Sequence, residues 1–288
     1  MTETQAILES TAAGQDIRRG DRFSFGKNWQ RFLSVVNDQH ISAAEGSLRK
    51  MLRVETLTGR RFLDIGSGSG LFSLAALRLG AAVHSFDYDP QSVACAHELK
   101  RRYAAQATAW TIEQGSVLDK AYVASLGQFD VVYSWGVLHH TGAMWQALEH
   151  AAIPVAPGGK LFVAIYNDQG RQSKRWRAIK KTYCSSTAGK ILVCSVAIPW
   201  FITHRLINDL LKATNPLTHY RDYKARRGMS AAHDWFDWLG GYPFEVARPE
   251  EIFSFYESKG FTLLNLTTKG ALAGCNELVF IRQTQRPE

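Results

Sequence analysis

The stretch RFLDIGSGSGLFSLAALRLGAAVHSFDYDP, residues 61–90, changes periodicity twice within thirty positions. Phe62 to Ile65 is a short apolar run broken by Gly66, Gly68 and Gly70, and Leu71 to Leu79 then carries apolar residues at helical spacing. A second apolar run, Ala82 to Phe86, ends at Asp87, after which Asp89 and Pro90 supply an N-cap and a first-turn proline. The spacing predicts strand, glycine turn, helix, strand, helix. Such a turn lets backbone approach a ligand closely, and the helix behind it turns its positive end toward any carboxylate or phosphate placed there. Asp87 stands where a ribose needs an acceptor.

Two common ligands are excluded by register. Counting G-x-G-x-x-G from Gly66 and Gly68 puts Leu71 where a dinucleotide fingerprint has its third glycine. A P-loop needs G-x-x-x-x-G-K-[ST], and no lysine or arginine stands in or directly behind this turn. What remains is Asp64-x-Gly66-Ser67-Gly68-x-Gly70, a turn led by an acid and suited to a ligand that presents an ammonium.

This arrangement resembles the first motif of the class I S-adenosylmethionine-dependent methyltransferases, and four further segments follow in that family's order: Asp87-Tyr88, QGSVLD (residues 114–119), FDVVYSWGVLHH (129–140) and APGGKLFVAIYN (156–167). The match covers residues 60–167, and FTLLNLTTKGALAGCNELVFIR (261–282) looks like the family's closing antiparallel pair. The resemblance implies a Rossmann-like α/β fold with a seven-stranded, mainly parallel sheet, an antiparallel last strand and a helical insertion between strands five and six. Within the family it is most similar to the ubiquinone-biosynthesis-type small-molecule O-methyltransferases. It also implies S-adenosyl-L-methionine as cofactor, held by Asp64, Gly66, Ser67, Gly68 and Gly70, with Asp87 on the ribose, Tyr88, Ser116 and Val117 around the adenine, and Trp135 at the end of strand four. Many members carry an acid where this chain has Ser116.

The chain has 288 residues, enough for one large α/β core with an insertion. Its four cysteines, at 95, 184, 194 and 275, form no close pair, so neither a metal site nor a disulfide framework is expected and a reducing cytoplasm is the simpler compartment. MTETQAILESTAAG lacks a basic flank followed by an apolar core and does not read as a secretory signal, and no run reads as long enough to span a bilayer.

The formal charge of +8 is concentrated. Residues 168–230 hold thirteen Lys and Arg against three Asp, a local balance of +10 that leaves the rest of the chain near −2. RQSKRWRAIKKTYCSSTAGK (171–190) has seven basic residues and no acid, and the apolar run ILVCSVAIPWFI (191–202) follows, with Pro199 expected to interrupt a helix. Three readings stand side by side: a cap packed on the ligand edge with solvated cations, a segment lying on an anionic membrane, or a surface for a phosphate-bearing or nucleic-acid substrate with Trp176 and Tyr183 as stacking platforms.

Domain organisation is accordingly read as an N-terminal helical lid (1–58), a cofactor-binding core (59–167), a basic and aromatic substrate cap (168–248) and the last helix and strand pair (249–288). Within the lid, RFSFGKNWQRFL (22–33) leads into an apolar stripe of Trp29, Phe32, Leu33 and Val36, and Trp29 is a candidate cofactor contact.

Methyl transfer from a sulfonium needs positioning, with the nucleophile roughly 3 Å from the methyl carbon in a site that excludes water. A phenol or alcohol acceptor also needs a base, for which histidine suits. His139 and His140 follow strand four at the ligand edge; the competing reading packs them beneath the cofactor. His233 lies in SAAHDWFDWLGGYPFE (230–245), where Trp235, Trp238 and Tyr242 could wall a substrate pocket with Tyr166 from the end of strand five. Asn167 and Asn276 are weaker candidates. The expected reaction is methylation of an oxygen, less readily nitrogen or carbon, on a small or lipid-linked metabolite. The rivals are a methyltransferase acting on RNA, protein or peptide, supported by the basic insertion, and a non-catalytic cofactor-binding scaffold.

Overall fold

In a computed structural model of the chain, residues 11–23, 25, 26, 29, 32–211 and 238–284 are described. His233 and Trp235 fall outside them.

The order of elements is α1 (Ala12–Arg19), α2 (Asp38–Leu52), β1 (Arg61–Ile65), α3 (Leu71–Arg78), β2 (Ala82–Asp87), α4 (Pro90–Tyr103), β3 (Trp110–Gln114), α5 (Lys120–Ser125), β4 (Phe129–Trp135), a 3-10 turn (Leu138–His140), α6 (Met144–Ala152), β5 (Val155–Tyr166), α7 (Arg171–Ser185), α8 (Thr187–Leu211), α9 (Pro249–Glu257), β6 (Phe261–Thr267) and β7 (Cys275–Arg282). The seven strands form one sheet in the order β3-β2-β1-β4-β5-β7-β6. Strands β1 to β5 pair in parallel, and β7 runs antiparallel to both β5 and β6.

Both faces of the sheet are buried, which is why its strands read as near-continuous apolar runs. Alternation of side chains along each strand sends Phe62, Val131, Tyr133 and Phe162 to the face covered by α2, α3 and α4. Leu63, Ile65, Val132, Leu161 and Val163 go to the opposite face, under α6 and α9. Strand order reverses between β1 and β4, so the carboxyl ends of these two strands open a crevice at the topological switch point where open α/β sheets bind ligands. The glycine turn follows β1 into this crevice, and the His139-His140 turn follows β4 into it.

Between β5 and β6 the chain leaves the sheet as the helices α7 and α8, and two sequence expectations need correction here. Pro199 does not end the helix: α8 continues through it from Thr187 to Leu211. Neighbouring Val193, Cys194, Ala197 and Phe201 pack on Tyr183, Trp176 and Leu239, and that tertiary contact outweighs the local cost of proline. Likewise, Thr187–His204 is by length and composition apolar enough to cross a membrane, because Thr, Ala and Gly before Ile191 extend the apolar window at its N-terminal end.

Candidate cofactor and acceptor site

The glycine turn is built by close approach as much as by flexibility. Gly66 has φ +74° and Gly68 φ +55°, a region that residues with a Cβ enter at a cost. A Cβ on Gly66 would come within 2.3 Å of Val137 Cγ1, and one on Gly68 within 2.8 Å of the Trp29 indole. The turn after β1 therefore interlocks with the turn after β4 on one side and with the N-terminal segment on the other. The Gly66 and Ser67 N–H groups both donate to the Phe86 carbonyl (2.8 and 3.1 Å), tying the turn to the end of β2.

Asp87 completes that tie. Its Oδ2 accepts from Gly68 N–H and its Oδ1 from Asp89 N–H, each at 2.9 Å. The side chain is half-buried, and burial, opposed by these two N–H donors, leaves its carboxyl raised to about 6. Asp64 lies beneath the turn, 2% exposed, accepting from Ser73 Oγ at 2.5 Å. Burial is again the main cause that raises it to about 7, with the Asp87 charge adding to it.

Both acids thus hold protons more tightly in the folded chain than in the unfolded one. The sign follows from linkage: between about pH 4 and 7 the folded state binds more protons at these sites, so their contribution to stability falls as pH rises through that window. His139 and His140 act in the opposite direction, since burial lowers both and the unfolded chain takes up protons below about pH 6.5 that the folded chain refuses. The expected result is that Asp64→Asn gains stability relative to the parent chain as pH is raised from 5 to 8 in urea titrations; parallel curves would show that Asp64 is ionised throughout.

The N-terminal segment closes over this edge. Asp89 caps α4 through Gln91 N–H (2.9 Å) and with its other oxygen accepts from Gly26 N–H (3.0 Å). Tyr88 donates its hydroxyl to Asp16 of α1 (2.9 Å), and the Arg22 guanidinium lies 4.7 Å from its ring centroid. Phe23 N–H donates to Tyr242 O (2.9 Å), and the Phe25 ring stands 4.9 Å from His140. On the third side Val117 is buried and Ser116 half-buried, the Ser116 hydroxyl accepting from Leu118 N–H (3.2 Å). Trp135, 43% exposed, directs its indole N–H to Glu277 of β7 (3.2 Å), away from the glycine turn.

The two histidines after β4 differ in what they offer. His139 is fully buried, its Nδ1 accepting from Tyr166 N–H (3.3 Å) and its ring 4.0 Å from the Tyr166 ring. His140 donates from Nδ1 to Pro243 O (2.6 Å), which fixes the tautomer and leaves Nε2 with its lone pair. Burial, only partly offset by the Pro243 carbonyl, lowers its pKa to about 3, so the ring is neutral.

Beside the histidines the structure gathers an aromatic box. Tyr166 at the end of β5 meets Trp238 (5.7 Å) and Phe244 (5.3 Å), and Trp238 meets Trp176 of α7 (5.5 Å). Lys180 closes it from below, fully buried, its Nζ 4.2 Å from the Trp238 ring centroid and donating to the Trp238 carbonyl. Burial lowers Lys180 to about 7. Of the residues expected around the acceptor, Tyr166 and Trp238 come together here, and Tyr242 contributes its backbone carbonyl to the contact with Phe23. Lys180 and Phe244 were not singled out by sequence; only the helical spacing Trp176, Lys180, Tyr183, Cys184 marked an inward face within the basic run. Asn167 and Asn276 are spent on the β6–β7 loop: Asn167 donates to the Gly270 and Leu272 carbonyls and accepts from Asn276.

No group of His, Cys, Asp and Glu among the described residues could hold a metal ion. The residues present do fit a nucleoside that carries an amino acid: a turn that only glycine can form, a helix N-terminus behind it, and a carboxylate at the end of β2.

Comparison with known proteins bears on the same region. Residues 63–161 match the family described as a methyltransferase domain. The ubiquinone biosynthesis O-methyltransferase of Methylocella silvestris is 26% identical over 183 residues, 58% of this chain and 69% of that enzyme. The enzyme of the same name from Parvibaculum lavamentivorans is 34% identical over 113 residues, and there the chain spans only 40% of its relative's length. Among solved structures, magnesium protoporphyrin IX methyltransferase from Synechocystis PCC 6803, with bound SAH, superposes with a TM-score of 0.50 at 14% identity, covering 98% of this chain and 94% of that one. That likeness speaks for the fold.

Proposed function

We propose, from the premise that the chain belongs to the class I S-adenosylmethionine-dependent methyltransferases, that it transfers the methyl group to an oxygen of a small or lipid-linked acceptor. The observation that carries the acceptor reading is the aromatic box at the ligand edge, with the neutral His140 set against it. Aromatic rings gathered at this edge offer an apolar surface that suits a flat or lipophilic acceptor.

When bound, S-adenosylmethionine supplies a methyl group already made electrophilic by its sulfonium. The chain's own residues then have three tasks. The first is holding: the glycine turn and the start of α3 receive the amino-acid end, with the Asp64 carboxyl, ionised above about pH 7, on the side of its ammonium, and Asp87 accepts from the ribose hydroxyls. Tyr88, Ser116 and Val117 border the base, with Trp29 laid over Gly68. The second is excluding water, which falls to the lid (1–58) and the cap (168–248). The third is taking a proton. His140 presents a bare Nε2, and so weak a base serves a phenol better than an alcohol because less basicity is needed to remove a more acidic proton. His139 and His233 are the other candidate bases.

Asp87→Ala is expected to weaken cofactor binding by about 1–3 kcal/mol, since it removes charge-assisted acceptors for the ribose and leaves Gly68 and Asp89 N–H without their partner. Isothermal calorimetry reads this directly, and unchanged affinity would remove Asp87 from the site.

The four cysteines are free, in keeping with a reducing cytoplasm, which we take as the compartment. The test of the whole reading is incubation with cofactor labelled in the transferable methyl, together with cell extract, followed by separation of lipid, small-molecule, nucleic-acid and protein pools. Label in the first two supports it. Label in nucleic acid or protein overturns the acceptor class, and cofactor binding without transfer would make the chain a scaffold.

A further inference from the structure

We propose that the outward face of α8 docks this protein on an anionic lipid surface, with the exposed cations of α7 on the headgroups. The helix is two-sided in the unusual sense. Val193, Cys194, Ala197 and Phe201 face the protein and pack on Trp176, Tyr183 and Leu239. At about 100° per residue, Leu192, Val196, Trp200, Leu206 and Ile207 fall within one sector on the other side. That sector is exposed, Val196 at 67%, Leu192 at 59% and Trp200 at 54%, and residues 191–204 contain no Lys, Arg, Asp or Glu at all. A single exposed apolar residue is ordinary, whereas a charge-free apolar helix face marks a partner surface.

Charge chooses the partner. From residue 169 to 208 the chain has eight Lys and Arg and no acid, and Arg171, Lys174, Arg175 and Lys181 of α7 are exposed beside α8. An apolar face flanked by cations, with a tryptophan among its apolar residues, matches the boundary of an anionic leaflet, where acyl chains meet phosphate. A second copy of the chain fits less well, since symmetric pairing of α8 would bring the two acid-free, cationic α7 helices together. A nucleic acid would leave the apolar face uncovered. The helix lies on the surface and does not cross it, because its inner side is committed to the protein.

The same face leads inward. Trp200 contacts Phe201 (5.3 Å), Phe201 stacks on Trp176 (6.3 Å, 11° between planes), and Trp176 meets Trp238 of the acceptor box. Docking would place the box at the edge of the leaflet, within reach of an acceptor that partitions there. That purpose rests on the lipid-linked reading proposed above; the docking itself does not.

The test is co-sedimentation of the full chain with vesicles of phosphatidylcholine alone and of phosphatidylcholine mixed with phosphatidylglycerol. The expected result is binding to the anionic vesicles that weakens with salt, falls at least about tenfold in L192E/V196E, and loses its preference for phosphatidylglycerol in K174E/R175E. Both variants should keep the parent's thermal unfolding and cofactor affinity. Absence of vesicle binding overturns the proposal, as does equal binding by L192E/V196E. A concentration-dependent dimer that L192E/V196E dissociates, without vesicle binding, would assign the face to a second copy. Vesicle binding needs no turnover, so docking without label in lipid leaves this inference standing and removes the lipid-linked acceptor.

Discussion

His140→Ala should lower kcat by about 10²–10⁴-fold, the range associated with loss of a positioned base, while cofactor affinity stays at the parent value. The ring is held on three sides: Nδ1–H donates to the Pro243 carbonyl, Phe25 contacts one face at 4.9 Å, and Tyr166 stands edge-on at 5.4 Å. That anchoring leaves Nε2 as the free basic atom and makes the base a matter of placement. His140→Gln separates the two roles the residue could play. It keeps a donor for Pro243 and most of the volume but has no comparable base, so a restored rate would mean that His140 acts by packing. The pH profile gives a second readout: with the ring neutral down to about pH 3, kcat/KM of the parent should show no limb at the ordinary histidine value near 6.5. Normal turnover in His140→Ala, with loss in His233→Ala, would move the base to the segment between α8 and Trp238.

Gly66→Ala should destabilise the fold by about 2–5 kcal/mol. Two separable causes contribute. An alanine held at φ +74° costs about 1–2 kcal/mol, and its Cβ, 2.3 Å from Val137 Cγ1, adds about 1–3 kcal/mol of overpacking. Against a total stability of about 5–15 kcal/mol for a domain, the change is large. Denaturant titration measures it, and a double-mutant cycle with Val137→Ala divides it: the packing part should be relieved and the dihedral part retained. Additive effects of the two substitutions would mean that the turns after β1 and β4 do not touch as described. Since the proposed cofactor contacts lie on the same turn, binding should fall with stability in the single variant and recover in part in the double one.

The glycine turn, the parallel sheet and the carboxylate at the end of β2 were legible because each depends on neighbours in sequence. Phe62 to Ile65 reads as a strand from its own composition, and Gly66 to Gly70 reads as a turn because no other residue takes those dihedrals cheaply. Asp89 and Pro90 start α4 through a cap bond that spans two residues. The family resemblance over residues 60–167 added the ligand to a backbone that local chemistry had already outlined.

Other features depended on partners far along the chain. Lys180 sits in a run that reads as a solvated basic face, yet it is buried under Trp238, 58 residues later, and only that packing brings it into the aromatic cluster. Pro199 should break a helix by its own chemistry, but contacts with Trp176 and Leu239 carry the helix through. The tautomer of His140 is set by a carbonyl 103 residues away, and the N-terminal segment is fastened by Asp89 reaching back 63 residues to Gly26. Residue type and spacing along the chain determined which elements form and where their ligand edge lies. Tertiary packing alone decided which cation is buried, which imidazole nitrogen is free and which face of α8 remains uncovered, because each of these depends on groups that are distant in sequence and meet only in the folded chain.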